Sequence, residues 1–469
     1  MHRQLFLDDA NIAGMDGLRR TMHQPLKHSA NPVVPADKPW ENMTSVYGTT
    51  MYDEHMRRFR MWYLIGCPSD GEFTDADTGE RYPIPQTTRV GYAESDDGVT
   101  WAKPDLGQLE WRGSTANNML AIGRQNPEGM SVLVDERDPD PAHRYKALFW
   151  DHAADGCHYH QELKRVLWRE TTDSDGAYLA WSGDGIHWTH SPHNPVIKAY
   201  MDTSQNLLWD PRIERYVAFS RFGFGRKIAR SESEGFVHWS EPQLVLECDE
   251  ADGEASQFYG AGIDVYEGLY VGMLWLYREG GDGCIDTQLG VSRDGIRWER
   301  VADRQVFLPL GDPGSWDDGM ARCAERIIRV GDQLYIYYSG VNGPHSGPKF
   351  PADTIVRKSK PGIGLCTLRR DGFVSLDAGT DGGSLLARPF PLPAGRLHLN
   401  IDARNGRCVV ALQHQDGSVI PGFEQSQPIS GDRLDAEVNW RGDTWPSVGQ
   451  TVALRIALEN ASLYSYWFD

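Results

Sequence analysis

Hydrophobic and polar positions along most of this chain fall into short β-branched and aromatic runs, joined in pairs by a polar turn. Val46-Tyr47-Gly48-Thr49-Thr50-Met51-Tyr52-Asp53-Glu54 leads into Phe59-Arg60-Met61-Trp62-Tyr63, and Ser131-Val132-Leu133-Val134-Asp135 into Tyr145-Lys146-Ala147-Leu148-Phe149. Asn206-Leu207-Leu208-Trp209-Asp210-Pro211 leads into Tyr216-Val217-Ala218-Phe219, and Ala261-Gly262-Ile263-Asp264-Val265 into Leu269-Tyr270-Val271-Gly272-Met273. The last such pair is Ile327-Ile328-Arg329-Val330-Gly331-Asp332 with Leu334-Tyr335-Ile336-Tyr337-Tyr338. Each reads as strand, turn, strand, and helical periodicity is nearly absent.

A second repeat follows these pairs. Ser-x-Asp-Gly-x-x-Trp occurs at Ser95–Trp101, Ser182–Trp188 and Ser292–Trp298, with a degenerate copy at Ser233–Trp239 and a worn one at Arg369–Phe373. Asp bonds its own backbone and Gly supplies positive φ, so each copy is a turn, and the Trp can plug the space between neighbouring sheets. Small sheets repeated at intervals of roughly fifty to ninety residues predict a β-propeller. The paired runs set the number of blades at five.

The character changes after the polar stretch Asp377-Ala378-Gly379-Thr380-Asp381-Gly382-Gly383-Ser384, which reads as a flexible boundary. Leu397–Ile401, Val409–Leu412, Val452–Leu458 and the apolar Leu463–Phe468 read as short strands. The expected fold is therefore all-β, with a five-bladed propeller over 1–380 and a C-terminal β-sandwich over 385–469. The sandwich is expected to cover and stiffen the propeller; glycan binding by it is the alternative.

Composition narrows the function. The 16 Trp and 49 Gly suit many turns and packed sheets. A net charge of −19 argues against a nucleic-acid partner, whose phosphates require basic patches. No apolar run reaches the roughly 18 residues of a membrane span, and Met1–Leu7 lacks a signal-peptide core, so a cytoplasmic protein is expected; a mature secreted form would read the same. The 7 Cys lack Cys-x-x-Cys spacing, which argues against a disulfide framework or zinc knuckle. Cys157-His158-Tyr159-His160, read as a loop, and His187, His190 and His193 are weak metal candidates, and no metal or other cofactor is expected. A structural cation in the propeller channel stays open. Oligomeric state is not legible.

In a propeller, chemistry belongs where the innermost strands begin and converge on the axis. The repeated Asp97, Asp184 and Asp294 are turn residues by this logic. The informative acids precede the inner strands: Glu41, Glu128, Asp202, Glu254, and Asp317 with Asp318. Asp8 and Asp9, after Leu5-Phe6-Leu7, either cap a turn or ride an N-terminal strand into the funnel. Trp40, Tyr259 and Trp316 are candidates to stack on sugar rings, Gln257 lies beside Tyr259, and Arg322 and His345 are placed to bind hydroxyls or a substrate carboxylate. Convergent carboxylates among aromatics suit glycoside hydrolysis, which commonly pairs a proton-donating acid with a nucleophile or base.

The opening Leu5–Asp9, the Ser-x-Asp-Gly-x-x-Trp turns, Trp316-Asp317-Asp318-Gly319, Tyr337-Tyr338 and Arg369–Leu376 resemble five-bladed propeller glycosidases of glycoside hydrolase families 32, 43 and 68. The resemblance is nearest to an uncharacterised bacterial group related to family 32. By blade order it implies Asp202 as transition-state stabiliser, Glu254 as general acid, and Asp9, Asp8 or Glu41 as nucleophile or base. It also implies a carbohydrate substrate, a furanoside such as a fructofuranoside or arabinofuranoside. The family 32 Trp-x-Asn-Asp-Pro-Asn-Gly motif is absent, and Arg137-Asp138-Pro139 sits in a turn after an inner strand, so it reads as structural. Two rival readings stay open. One is phosphorolysis or lyase chemistry on the same fold, the other a glycan-binding propeller without turnover.

Overall fold

The computed structural model describes residues 3–75, 78–124, 126–152, 157–160, 165–168, 175–351, 354–440, 442 and 445–469. It is almost entirely β, in curled antiparallel sheets of the propeller-like kind. The paired runs fold into successive antiparallel units. The first unit comprises Met43–Asp53, Arg58–Thr74 and Arg81–Ser95; the second, Glu128–Val134, Tyr145–Asp151, Gly176–Ser182 and Thr189–His190. The third comprises Asn206–Asp210, Arg215–Ser220, Ile228–Ser233 and Gln243–Leu246. The fourth holds Ser256–Tyr266, Leu269–Arg278 and Ile285–Ser292 with short outer strands Glu299–Arg300 and Val306–Leu308. The fifth holds Met320–Val330, Gln333–Val341 and Gly362–Arg369, completed by Leu26–Lys27 from the start of the chain.

The opening strands of these units lie side by side in a cycle: 43–53 against 128–134, then 206–210, 256–266, 320–330, and back to 43–53. Their centre is polar. Glu325 is fully buried, accepting hydrogen bonds from Thr49 and, at 2.6 Å, from Ser131. Arg326 donates to the carbonyls of Val132 and Leu207 at 3.1 and 2.8 Å, tying three units together.

The Ser-x-Asp-Gly turns form as their residues require. In each, the Ser hydroxyl accepts from the Gly amide and the Asp carboxylate from the next two amides, as at Ser95, Asp97, Val99 and Thr100. The glycines hold φ of 74°, 76° and 72° at Gly98, Gly185 and Gly295. In the degenerate copy Gly235 is out of place, and Phe236 itself takes φ 70°. Backbone donors and the Ser hydroxyl hold Asp97 down to about 2 against the opposing pull of burial.

Residues 374–468 form a curled sheet that the first strands of the chain join. Gln4–Leu5, Ile12–Asp16 and Arg19–Met22 pair with Ala461–Phe468, Gly383–Ala387 and Val374–Ala378. Two expectations change here. The polar stretch expected to be a flexible boundary is a tight turn between two strands of this sheet, with Gly379 accepting from the amides of Gly382 and Asn460 at 3.1 and 3.0 Å. The runs at Leu397 and Val409 are one strand, Leu397–His414, whose first half pairs with Ala461–Phe468 and second half with Thr451–Glu459. Cys157–His160 is a strand paired with Arg165–Trp168 rather than a loop; its side chains lie outside the described residues. Among the described residues no helix is long and apolar enough to cross a membrane.

Candidate functional site

Where the inner strands begin, the structure gathers Tyr47, Glu128, Asp202, Gln257, Tyr259 and Arg322, one or more from each unit. Antiparallel pairing brings the ends of the second strands to the same place. Gln257 stands opposite Tyr277, and Glu279 follows two residues later. Gly129, at φ 62°, packs so tightly that a Cβ there would lie 2.4 Å from the Thr203 carbonyl, so the openings of units two and three touch.

One side of this mouth is acidic and aromatic. Asp202, 42 % exposed in its side chain, forms an ion pair with Arg221 at 2.9 Å and accepts from the Tyr200 hydroxyl at 3.1 Å. Tyr200 meets Trp150 edge-on at 5.1 Å, and Trp150 stacks on His152 at 4.1 Å. His152 lies 3.5 Å from Glu128. Burial, followed by the Asp202 charge and to a lesser degree that of Glu128, pushes the Tyr200 hydroxyl up, placing both carboxylates in its field. Phe222, next to Arg221, holds φ 37°, a left-handed conformation uncommon for non-glycine residues.

The other side is rich in arginine. Arg226 donates to Gln257 at 2.8 Å and faces Glu279 at 3.3 Å, and Gln257 donates to Glu279 at 2.8 Å. Arg322, 6 % exposed, donates to the Tyr47 hydroxyl at 2.8 Å and lies over Tyr47, Tyr259 and Trp275 at 5.0, 5.7 and 5.8 Å. Tyr47 stacks on Trp275 at 5.4 Å. His345 Nδ1 is 2.6 Å from the Ser346 carbonyl, which only accepts, so Nδ1 carries the proton and Nε2 accepts from Tyr259 at 3.1 Å. Burial, then Arg226, Arg322 and Arg357, hold His345 down to about 4.

Of the residues singled out in the sequence, Glu128, Asp202, Gln257, Tyr259, Arg322 and His345 therefore come together. Asp8, Asp9, Trp40, Glu41, Glu254, Trp316 and Asp318 do not. Asp8 is buried but gripped by Arg293 at 2.8 and 2.9 Å, in a turn remote from the mouth, and Asp9 is exposed against Arg20. The N-terminal strand pairs with the C-terminal sheet instead of entering the funnel, which explains both positions. Glu41 is fully buried and satisfied by Lys103 at 2.6 Å, the Tyr63 hydroxyl at 2.7 Å and the amides of Asp37 and Lys38. Trp40 bonds Asn118 and packs edge-on against Trp111 within unit one. Trp316 packs on Tyr338. Asp318 accepts from Asn342, Gly343 and Gly314, fixing the loop that carries His345. Glu254 is exposed on the rim and makes no side-chain hydrogen bond or ion pair among the described residues.

Tyr47, Arg221, Arg226, Tyr277, Glu279 and Arg357 carry no such local mark, because none of them lies just before an inner strand. The hairpin rule that the end of a second strand lies beside the start of the first would have found Arg221 and Glu279. Among the described residues no group of His, Cys, Asp and Glu is arranged to hold a metal.

No protein-family model matches the sequence, and none of the curated proteins compared with it does. Solved structures do align. A protein described as a glycoside hydrolase shares 12% identity over 74% of this chain and 92% of its own, with a TM-score of 0.48. An N-acetylgalactosamine deacetylase from F. plautii shares 15% over 76% and 97%, with a TM-score of 0.46. A glycosyl hydrolase from Bacteroides ovatus shares 14% over 73% and 93%, also with a TM-score of 0.46.

Proposed function

We propose that this protein hydrolyses a glycosidic bond at the mouth described above, in a five-bladed propeller whose C-terminal sheet serves as a supporting sandwich. The observation that carries this reading is the Asp202–Tyr200–Trp150–His152–Glu128 chain, which holds two carboxylates on neighbouring units in unlike surroundings. Arg221 faces Asp202, and no Arg or Lys faces Glu128 among the described residues. Acid and base roles need that kind of difference: a cation steadies the carboxylate that acts ionised, and its absence suits the group that must deliver a proton. Asp202 is therefore the nucleophile or base and Glu128 the general acid, in place of the exposed Glu254. Tyr259, half-buried at the mouth, offers a face for a sugar ring. A furanoside is the substrate class the sequence resemblance favours.

The test is product release from a panel of aryl furanosides and pyranosides. Asp202→Asn and Glu128→Gln should each lower turnover on the order of 10²–10⁴-fold with the far-UV circular dichroism unchanged, while Glu254→Gln retains activity. Near-normal turnover in Glu128→Gln would remove its role, and a wild-type protein inert on every glycoside would sink the hydrolase reading.

A further inference from the structure

The acidic half of the mouth accounts for Asp202 and Glu128 but not for the cations opposite. Four arginines meet there. Arg221 is paired with Asp202, and Arg226 with Glu279. Arg322 and Arg357 have no carboxylate partner among the described residues. Among the described residues Arg357 donates to the carbonyls of Asn342, Gly343 and Pro344, and Arg322 to the Tyr47 hydroxyl.

Arg322 is the telling residue. It is more than nine-tenths buried, and its Nε finds no acceptor among the described residues. A buried guanidinium that lacks an anion is expensive, because its hydration is lost and nothing replaces it. Arginine cannot relieve that cost by losing its proton. The surroundings supply no negative charge: Tyr47, Tyr259 and Trp275 offer only ring faces, which soften the cost without an anion, and the lone pair of His345 Nε2 is taken by the Tyr259 hydroxyl. The mutual presence of Arg322 and Arg357 lowers the proton affinity of Arg357 after burial has done so, which shows that the two cations share one field. All this lies in a chain of net charge −19, so the positive spot is local.

We infer that Arg322, with Arg357 and Arg226 beside it, forms an oxyanion subsite at the mouth of the propeller. The planar guanidinium fork matches a carboxylate, sulfate or phosphate bidentately, and the unfilled Nε is one prong of that fork. The anion comes either as an acidic substituent of the saccharide or as free inorganic phosphate acting as co-substrate, in which case a phosphate oxygen bonds the anomeric carbon as the glycosidic C–O bond breaks, and the departing alcohol oxygen takes the proton delivered by the general acid. This inference rests on the reading of the mouth as the site of action on sugar, and it requires that either the saccharide or its co-substrate bring a negative charge.

Calorimetric titration of the full-length protein with inorganic phosphate, inorganic sulfate and glucuronate is the direct test. At least one should bind. Arg322→Gln should weaken that binding tenfold or more, Arg322→Lys should restore only part of it, and Arg357→Gln, on the exposed loop, should weaken it without perturbing the fold. No binding of any of the three anions, or binding unchanged in both Gln variants, would overturn the inference. The source is decided by turnover with and without phosphate. A phosphate co-substrate makes cleavage of neutral glycosides phosphate-dependent. An acidic sugar makes cleavage selective for uronides or sulfated glycosides, with phosphate as a competitor. Cleavage of neutral glycosides without anion binding would sink the subsite and leave the hydrolase reading standing; anion binding without cleavage of any glycoside would do the reverse.

Discussion

Glu325 shows how much a single position can owe to its surroundings. It lies at the centre of the cycle of inner strands, fully buried, between the hydroxyls of Thr49 and Ser131, with Arg326 3.9 Å away and Asp264 beyond it. Burial pushes its carboxyl up to about 7, and Arg326 only partly opposes this. An acid whose proton is held more tightly in the fold than in the unfolded chain favours folding at low pH. Its contribution is complete below the unfolded value of about 4.3 and is lost as pH rises through about 7. Urea midpoints measured from pH 5 to 8.5 should therefore fall for the wild type and fall less for Glu325→Gln. Parallel profiles would mean that the central carboxyl stays ionised throughout. In the sequence Glu325 is one of 66 acidic residues, in a strand whose alternation is broken by a register shift between Cys323 and Ile327. Nothing local marks it as central.

Among the elements, a latch recurs between units and was half-visible in the repeats. The aspartate closing the first strand of one unit accepts the hydroxyl of a tyrosine near the start of the second strand of the next. Tyr145 reaches Asp53 at 2.6 Å, Tyr216 reaches Asp135, and Tyr270 reaches Asp210. Every one of these residues stands in the repeated strand–turn–strand phrases, so the pieces were legible; that they meet across units was not. Burial opposes ionisation of Asp210, yet Arg212, Tyr270 and a backbone amide together hold it down to about 2. Each of Tyr145→Phe, Tyr216→Phe and Tyr270→Phe should cost about 1–3 kcal/mol by leaving a buried carboxylate short of a donor. Thermal midpoints would check this, and three neutral substitutions would show that the latches contribute nothing. The same element-scale logic separates the site residues. Asp202 and Arg322 were found because they begin or precede inner strands; Glu41 shares that position but turns into its own unit, where Lys103 neutralises it.

At the scale of the molecule, Asp371 joins parts of the chain that no local pattern connects. It is buried in the worn last turn and accepts from Arg3 at 3.0 Å, the Tyr266 hydroxyl at 2.6 Å, Ser465 at 2.7 Å and Asn400 at 3.3 Å. Those donors come from the first strand segment, unit four and the C-terminal sheet. Asp371→Ala would leave Arg3 buried without its partner and should cost about 3–5 kcal/mol, read as a lowered urea midpoint. A loss below about 1 kcal/mol, the scale of an exposed ion pair, would show that the propeller-like part and the sheet do not depend on this junction. What the sequence determined alone is the all-β character, the repeated strand pairs and the Ser-x-Asp-Gly turns, because these depend on side-chain alternation and on φ values that residues a few positions apart can satisfy. The tertiary structure decided where the first strands go, which acids meet, and that arginines share the mouth with them. Those outcomes depend on pairings across hundreds of residues. The N-terminal strand could have entered the funnel or joined the C-terminal sheet with the same local pattern, and only the packing of Leu5 and Phe6 against that sheet settled it.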